Sequence, residues 1–147
     1  VINRLRKIGV SDYDIASTLA TAISQRLVRR ICPKCKRERE FTKEEKDIIE
    51  NILGKYDEKV DLKDIKTYDT LGCDYCNGTG FYDRIGIFEI LNITDELKEL
   101  IVSGASSMEI RKKALEENYR PLIVDGIRKV IKGETTIEKI NKKLLFF

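Results

Sequence analysis

The chain has four cysteines and no more, arranged as Cys32-Pro33-Lys34-Cys35 and Cys73-Asp74-Tyr75-Cys76. Two residues between paired cysteines aim both sulfurs at one point, and two such pairs complete a tetrahedral metal site. A fold that uses all four must bring residues 32 and 76 together across the stretch from Lys36 to Gly72. Gly78 and Gly80 follow the second pair and allow tight turns in conformations that a Cβ disfavours. All four ligand positions would be thiolate, and the chain has no histidine, so the expected role is structural, with no place left for water or substrate. Zinc is the expected ion, while a rubredoxin-like iron site uses the same four thiolates. Two disulfides would need an oxidising compartment, and no secretory signal stands at the N-terminus. A thioredoxin-type redox pair would use one Cys-x-x-Cys and leave the other idle.

At 147 residues the chain allows one domain or two small ones. Lys plus Arg number 28 against 25 Asp plus Glu, and the signs are interspersed, which reads as solvated helix faces rather than a nucleic-acid surface. No apolar run approaches the roughly 18 residues of a membrane span, so a soluble, cytosolic protein is expected. The opening at Val1, without a methionine, reads as a piece of a longer protein. There is no histidine base, no recognisable catalytic serine, and no G-x-x-x-x-G-K phosphate loop.

Apolar spacing lays out the elements. Ile2, Leu5 and Ile8 predict a short helix ended by Gly9, and Ser11 with Asp14 predicts the cap of a second, carrying Ile15, Leu19, Ala22 and Ile23. Gln25 to Ile31 reads as a strand running into the first cysteine pair, its arginines either a solvated strand end or an anion or subunit contact. Thr42 should cap a helix over 43–53, closed by Gly54. The remainder up to Gly72 reads as a charged loop with a short strand near 65–68; the metal thus closes a long loop between the cysteine pairs with little apolar mass of its own, and should supply much of this lobe's stability. Ile85 and Ile87 on one face, with Phe88 and Ile90 on the other, predict a strand interior to a sheet, with Arg84 at its mouth, where ligands gather in α/β sheets; Glu89 within it needs a core partner or marks a site. Four amphipathic helices opened by Thr94, Ser106 or Ser107, Pro121 and Thr136 predict a small bundle.

Three blocks carry a family resemblance. Gln25-Arg26-Leu27-Val28-Arg29-Arg30-Ile31-Cys32-Pro33-x-Cys35 resembles the Q-R-L-V-R-x-C-x-x-C passage of the GspE/PilB secretion ATPases, which drive type II secretion and type IV pilus assembly. Gly72-Cys73-x-x-Cys76-x-x-x-Gly80-Phe81-x-x-Arg84-x-Gly86-Ile87-x-Glu89 resembles their next block. Ile110-Arg111-x-x-Ala114, Leu122-x-x-Asp125-Gly126 and Gly133-Glu134-Thr135-Thr136-x-Glu138 resemble their closing helices. Two departures stand out. Asp83 replaces the family's glycine before the arginine, where the acid could also pair with Arg84. Asn118-Tyr119 replaces its Gly-Met, and asparagine tolerates the left-handed conformation of a helix C-cap.

The resemblance implies an α/β chain that is the C-terminal remnant of a RecA-like ATPase domain, with a four-cysteine zinc-binding lobe and a small helical C-terminal domain. The implied division is 1–31 as the end of the RecA-like core, 32–80 as the zinc lobe, 81–93 as a returning core strand and 94–147 as the helical domain. Cys32, Cys35, Cys73 and Cys76 would be the metal ligands, and no catalytic residue is assigned. Arg84, Arg26 and Arg29 are the candidates for nucleotide-pocket or subunit-interface contacts. Zinc is the implied cofactor, with ATP and Mg only in the full-length parent, a hexamer. The implied partners are neighbouring subunits and an inner-membrane platform protein, with no direct nucleic acid and no membrane span. The implied place is the cytoplasm, peripheral to the inner membrane. The alternative is a free-standing zinc-ribbon module for nucleic acid or unfolded protein.

Overall fold

The computed structural model describes residues 1–144, which form seven helices and four strands: α1 (Ile2–Lys7), α2 (Asp12–Thr18), β1 (Thr21–Ile31), β2 (Lys36–Arg39), α3 (Lys43–Gly54), β3 (Thr67–Thr70), β4 (Phe81–Asn92), α4 (Asp95–Val102), α5 (Ser107–Glu116), α6 (Leu122–Ile131) and α7 (Ile137–Leu144). Most helix starts follow from the capping residues read in the sequence. Ser11, Thr42, Thr94 and Ser106 each accept a hydrogen bond from the backbone N–H three residues on, and Glu45 and Glu109 reach back to complete capping boxes. Asn118, past the end of α5, sits at φ 66°. The N–H of Tyr119 donates to the carbonyl of Ala114, and that of Asn118 to the carbonyl of Leu115, so the helix closes with a left-handed residue as expected.

One packing unit comprises residues 1–24 and 89–120. Its core is Ile2, Ile15 and Ala16 with Ile93, Leu97, Ile101, Ile110 and Ala114. Arg6 ties it together, pairing with Asp12 at 2.6 Å and donating to the carbonyls of Ala105 and Ile101.

The second unit comprises 25–88 and the described residues from Pro121 on. Its core joins Val28, Phe41, Ile49, Leu53, Leu62 and Ile87 to Val124, Ile127, Val130, Ile137 and Ile140. Gly126 permits the close approach of α6 to α7, because a Cβ there would meet the Ile140 side chain at 3.1 Å. Asp125 accepts the backbone N–H of Phe88 at 2.9 Å and so stitches α6 to β4. The turn after α6 holds the end of β1: the carbonyl of Glu134 accepts the N–H of Ile31, and the fully buried Thr135 donates to the carbonyl of Arg29 at 2.8 Å.

Four expectations change. Helix α2 stops at Thr18, and Ala22 and Ile23 belong to β1, where the N–H of Ile93 bonds the carbonyl of Ala20 just ahead of the strand. Strand β4 is not interior to a sheet. Among the described residues it pairs with β1 alone, and Phe88 and Ile90 are 39% and 50% exposed, so only the Ile87 face is buried. The stretch between the cysteine pairs is not poor in apolar mass, because Phe41, Ile49, Leu53 and Leu62 bury into a core shared with α6 and α7. The last four helices do not form one bundle: α4 and α5 pack in one unit, α6 and α7 in the other. Burial partners, not chain proximity, decide which core an amphipathic helix joins.

Candidate functional site

The two cysteine pairs meet because β2 and β3 pair antiparallel between them. Lys36 lies opposite Thr70 and Arg39 opposite Thr67, so β2 leaves the first pair and β3 returns to the second. Arg39 braces this ladder, gripping Glu45 through two hydrogen bonds of 2.6 and 2.7 Å and Asp69 at 2.7 Å. The Arg39 hydrogen bonds hold the Glu45 carboxyl below the usual carboxylate range. The carbonyl of Gly80 accepts the N–H of Cys32 at 3.0 Å and joins the two knuckles directly.

The four sulfurs all lie within 4.8 Å of one another. Cys32 to Cys73 is 3.9 Å, Cys35 to Cys76 is 3.8 Å and Cys73 to Cys76 is 3.7 Å. Thiolates bound tetrahedrally at about 2.3 Å stand about 3.8 Å apart. These spacings fit a shared ion and are far too long for disulfides, whose sulfurs are about 2 Å apart. The backbone N–H groups of Cys73 and Gly80 each donate to the Cys76 sulfur at 3.2 Å, which suits a thiolate. Burial raises the Cys76 thiol, but these two N–H groups and the neighbouring thiols outweigh it and bring it down to about 6. Burial, reinforced by the surrounding thiols, pushes Cys35 up to about 12. A thiol must give up its proton to bind a metal, so any ion held by these four sulfurs is bound less tightly as pH falls.

The second knuckle turns through Asn77, Gly78 and Gly80, at φ 51°, 74° and 74°. Gly78 has open space where a Cβ would stand, whereas a Cβ on Gly80 would lie 2.3 Å from the Thr70 hydroxyl. Gly78→Ala should therefore cost only the left-handed penalty of about 1–2 kcal/mol. Gly80→Ala adds overpacking of roughly 1–3 kcal/mol against β3. Thermal melts of the two metal-loaded variants check this, and equal losses would refute the role assigned to Thr70.

Arginines flank the four-cysteine cluster. Arg29 donates to the Thr79 hydroxyl at 3.3 Å and the Phe81 carbonyl at 3.2 Å, and Arg26 to the Gln25 carbonyl at 2.9 Å. Arg84 is exposed and lies within β4, which begins at Phe81, rather than at the strand's mouth. Asp83 does not ion-pair with it; its carboxylate accepts the Arg84 backbone N–H at 2.7 Å. Asp83 stands at φ 66°, the left-handed conformation suited to the glycine it replaces, with that hydrogen bond holding it there. Arg26, Arg29 and Arg84 line one groove together with Lys139, Lys142 and Lys143 of α7. Sequence reasoning missed these lysines. Their spacing reads as a solvated helix face, and nothing local says that α7 packs beside β1. It also missed the Tyr75 and Tyr82 rings, whose centroids lie 4.3 Å apart at a 35° tilt beside the second knuckle.

Among the described residues no helix is long and apolar enough to cross a membrane. Residues 1–142 match the family model described as type II/IV secretion system protein. The chain is 35% identical over 139 residues to the type IV pilus assembly ATPase PilB of Thermus thermophilus, covering 95% of this chain and 15% of that protein. It is 36% identical over 143 residues to the type II secretion system ATPase E of Vibrio cholerae, covering 96% and 26% respectively. It is 31% identical over 144 residues to PilB of Pseudomonas aeruginosa, covering 96% and 24%. The chain thus spans about a quarter or less of the length of these relatives. A match that runs through both cysteine pairs, the arginine-bearing strands and the closing helices assigns the chain to the family of type II/IV secretion system proteins, the GspE/PilB secretion ATPases.

Proposed function

We propose that these residues are the C-terminal part of a hexameric, ATP-hydrolysing motor that powers type II protein secretion or type IV pilus assembly. The observation that carries this reading is the family match over 1–142, shared with pilus-assembly and type II secretion ATPases. In this reading 1–31 ends a RecA-like core, 32–80 is the metal lobe, 81–93 returns to the core and 94–147 is the helical end. These are divisions of labour, distinct from the two packing units. Zinc is the ion for Cys32, Cys35, Cys73 and Cys76, since four thiolates at tetrahedral spacing suit it. It would brace the β2–β3 ladder and the start of β4, and so hold Arg29 and Arg84 in place. Arg84, Arg26 and Arg29 face a nucleotide or a neighbouring subunit. The partners are adjacent subunits and an inner-membrane platform protein, and the motor works in the cytoplasm at that membrane.

A phosphate-release assay tests the motor reading. The longer protein that carries these residues should hydrolyse ATP. Residues 1–147 alone should not, because no phosphate loop is present among them to cradle the β- and γ-phosphates with magnesium. Absence of activity in the longer protein would overturn the motor reading. Activity of residues 1–147 that survives repurification would overturn the division of labour.

A further inference from the structure

The six cations of the groove come from three elements: Arg26 and Arg29 from β1, Arg84 from β4, and Lys139, Lys142 and Lys143 from α7. Lys139 is partly spent, since it pairs with Glu138 at 2.8 Å and lies over the Phe81 ring at 4.6 Å. The other five have no carboxylate within ion-pairing distance among the described residues, although the chain carries 25 acidic side chains. The net charge is only +3, so this is a local concentration of charge and not a general bias. The groove measures about 550 Å³, and a second hollow of about 340 Å³ shares Arg29 and Arg84 as a common wall. The one acid in that second hollow, Asp83, is engaged with a backbone N–H. Like charges held together in a concave surface repel one another and favour an anion that neutralises several at once.

We propose that this groove is a binding site for a multiply charged phosphoryl group. A carboxylate brings one negative charge, whereas a phosphate monoester brings nearly two with three acceptor oxygens. Guanidinium forks from two strands meet such a group with paired hydrogen bonds, and the α7 ammonium groups add point charges. The phosphoryl group could belong to a soluble phosphate ester or to a lipid headgroup. The proposal rests on reading Arg84, Arg26 and Arg29 as contact residues, and it names the chemistry they contact.

The test uses the whole zinc-loaded chain. Sodium tripolyphosphate is titrated by calorimetry at low salt, where screening is weak. In parallel, the chain is sedimented with phosphatidylcholine vesicles with and without phosphatidic acid, whose headgroup is a phosphate monoester. At least one probe should bind saturably. That binding should weaken by about tenfold or more in Arg26→Gln/Arg84→Gln, and again in Lys142→Gln/Lys143→Gln. Arg111→Gln/Lys112→Gln, on the exposed face of α5, should leave it intact. Unchanged zinc content in each variant shows that the fold persists. Tripolyphosphate binding without vesicle binding assigns a soluble ester, and binding that requires phosphatidic acid in the vesicles assigns a lipid headgroup. No binding of either probe, equal loss in the α5 variant, or displacement by poly-glutamate or a single-stranded oligonucleotide at matched charge would overturn the proposal. None of these arms depends on ATP hydrolysis, so the motor reading stands or falls separately.

Discussion

Cys73→Ser should take the chain from one bound zinc to less than about half an equivalent, because three thiolates leave the structural site open to water. Elemental analysis after metal-replete expression reads this directly. Iron in the unaltered chain, or less than about half an equivalent of zinc there, would sink the assignment. The structural consequence should be local. Zinc-finger peptides draw roughly 10–16 kcal/mol from their metal because they have no other core. Here Phe41, Ile49, Leu53 and Leu62 bury against α6 and α7 in a core that includes none of the four cysteines, so the loss should be far smaller. Hydrogen exchange should rise at 32–39 and 67–80, where the two knuckles and the β2–β3 ladder depend on each other. The amides of α4 and α5 should keep their protection, since their core is built from Ile2, Ile15, Ile93, Leu97 and Ile101. Exchange that rises equally in both units would show that the metal governs the whole fold.

The second large effect should appear only in the longer protein. Arg84→Ala there should cut ATP turnover or hexamer formation by about tenfold or more, as loss of a charge-stabilising arginine does in phosphoryl-transfer enzymes. In residues 1–147 the same change should leave the melting temperature and zinc content nearly unaltered. Its side chain is exposed and makes no ion pair among the described residues, and even exposed pairs contribute only about 0–1 kcal/mol. Turnover and assembly at the unaltered level would refute the contact role, and an unfolded 1–147 variant would make Arg84 a structural residue instead. The earlier ground for singling out Arg84, the mouth of an interior strand, does not hold. Its exposure beside Arg29, Arg26 and α7 replaces it.

What the sequence determined by itself is what neighbouring residues decide among themselves. The four-cysteine cluster was legible because Cys-x-x-Cys spacing aims two sulfurs at one point wherever the pair occurs. Helix starts at Ser11, Thr42, Thr94 and Ser106 were legible because a side-chain oxygen three residues before an orphan N–H satisfies it locally. The left-handed residue at Asn118 was legible for a similar local reason. Tertiary structure alone decided which helices share a core. The apolar faces of α4 through α7 are equally suited to one another by pattern, and hydrophobic burial is non-directional. It also decided that β1 starts at Thr21, because a hydrogen bond from Ile93 to Ala20 continues a ladder where periodicity favoured helix. The basic groove was invisible for the same reason. Its charges lie up to 117 positions apart, from Arg26 to Lys143, and only the packing of α7 beside β1 and β4 brings them into one surface.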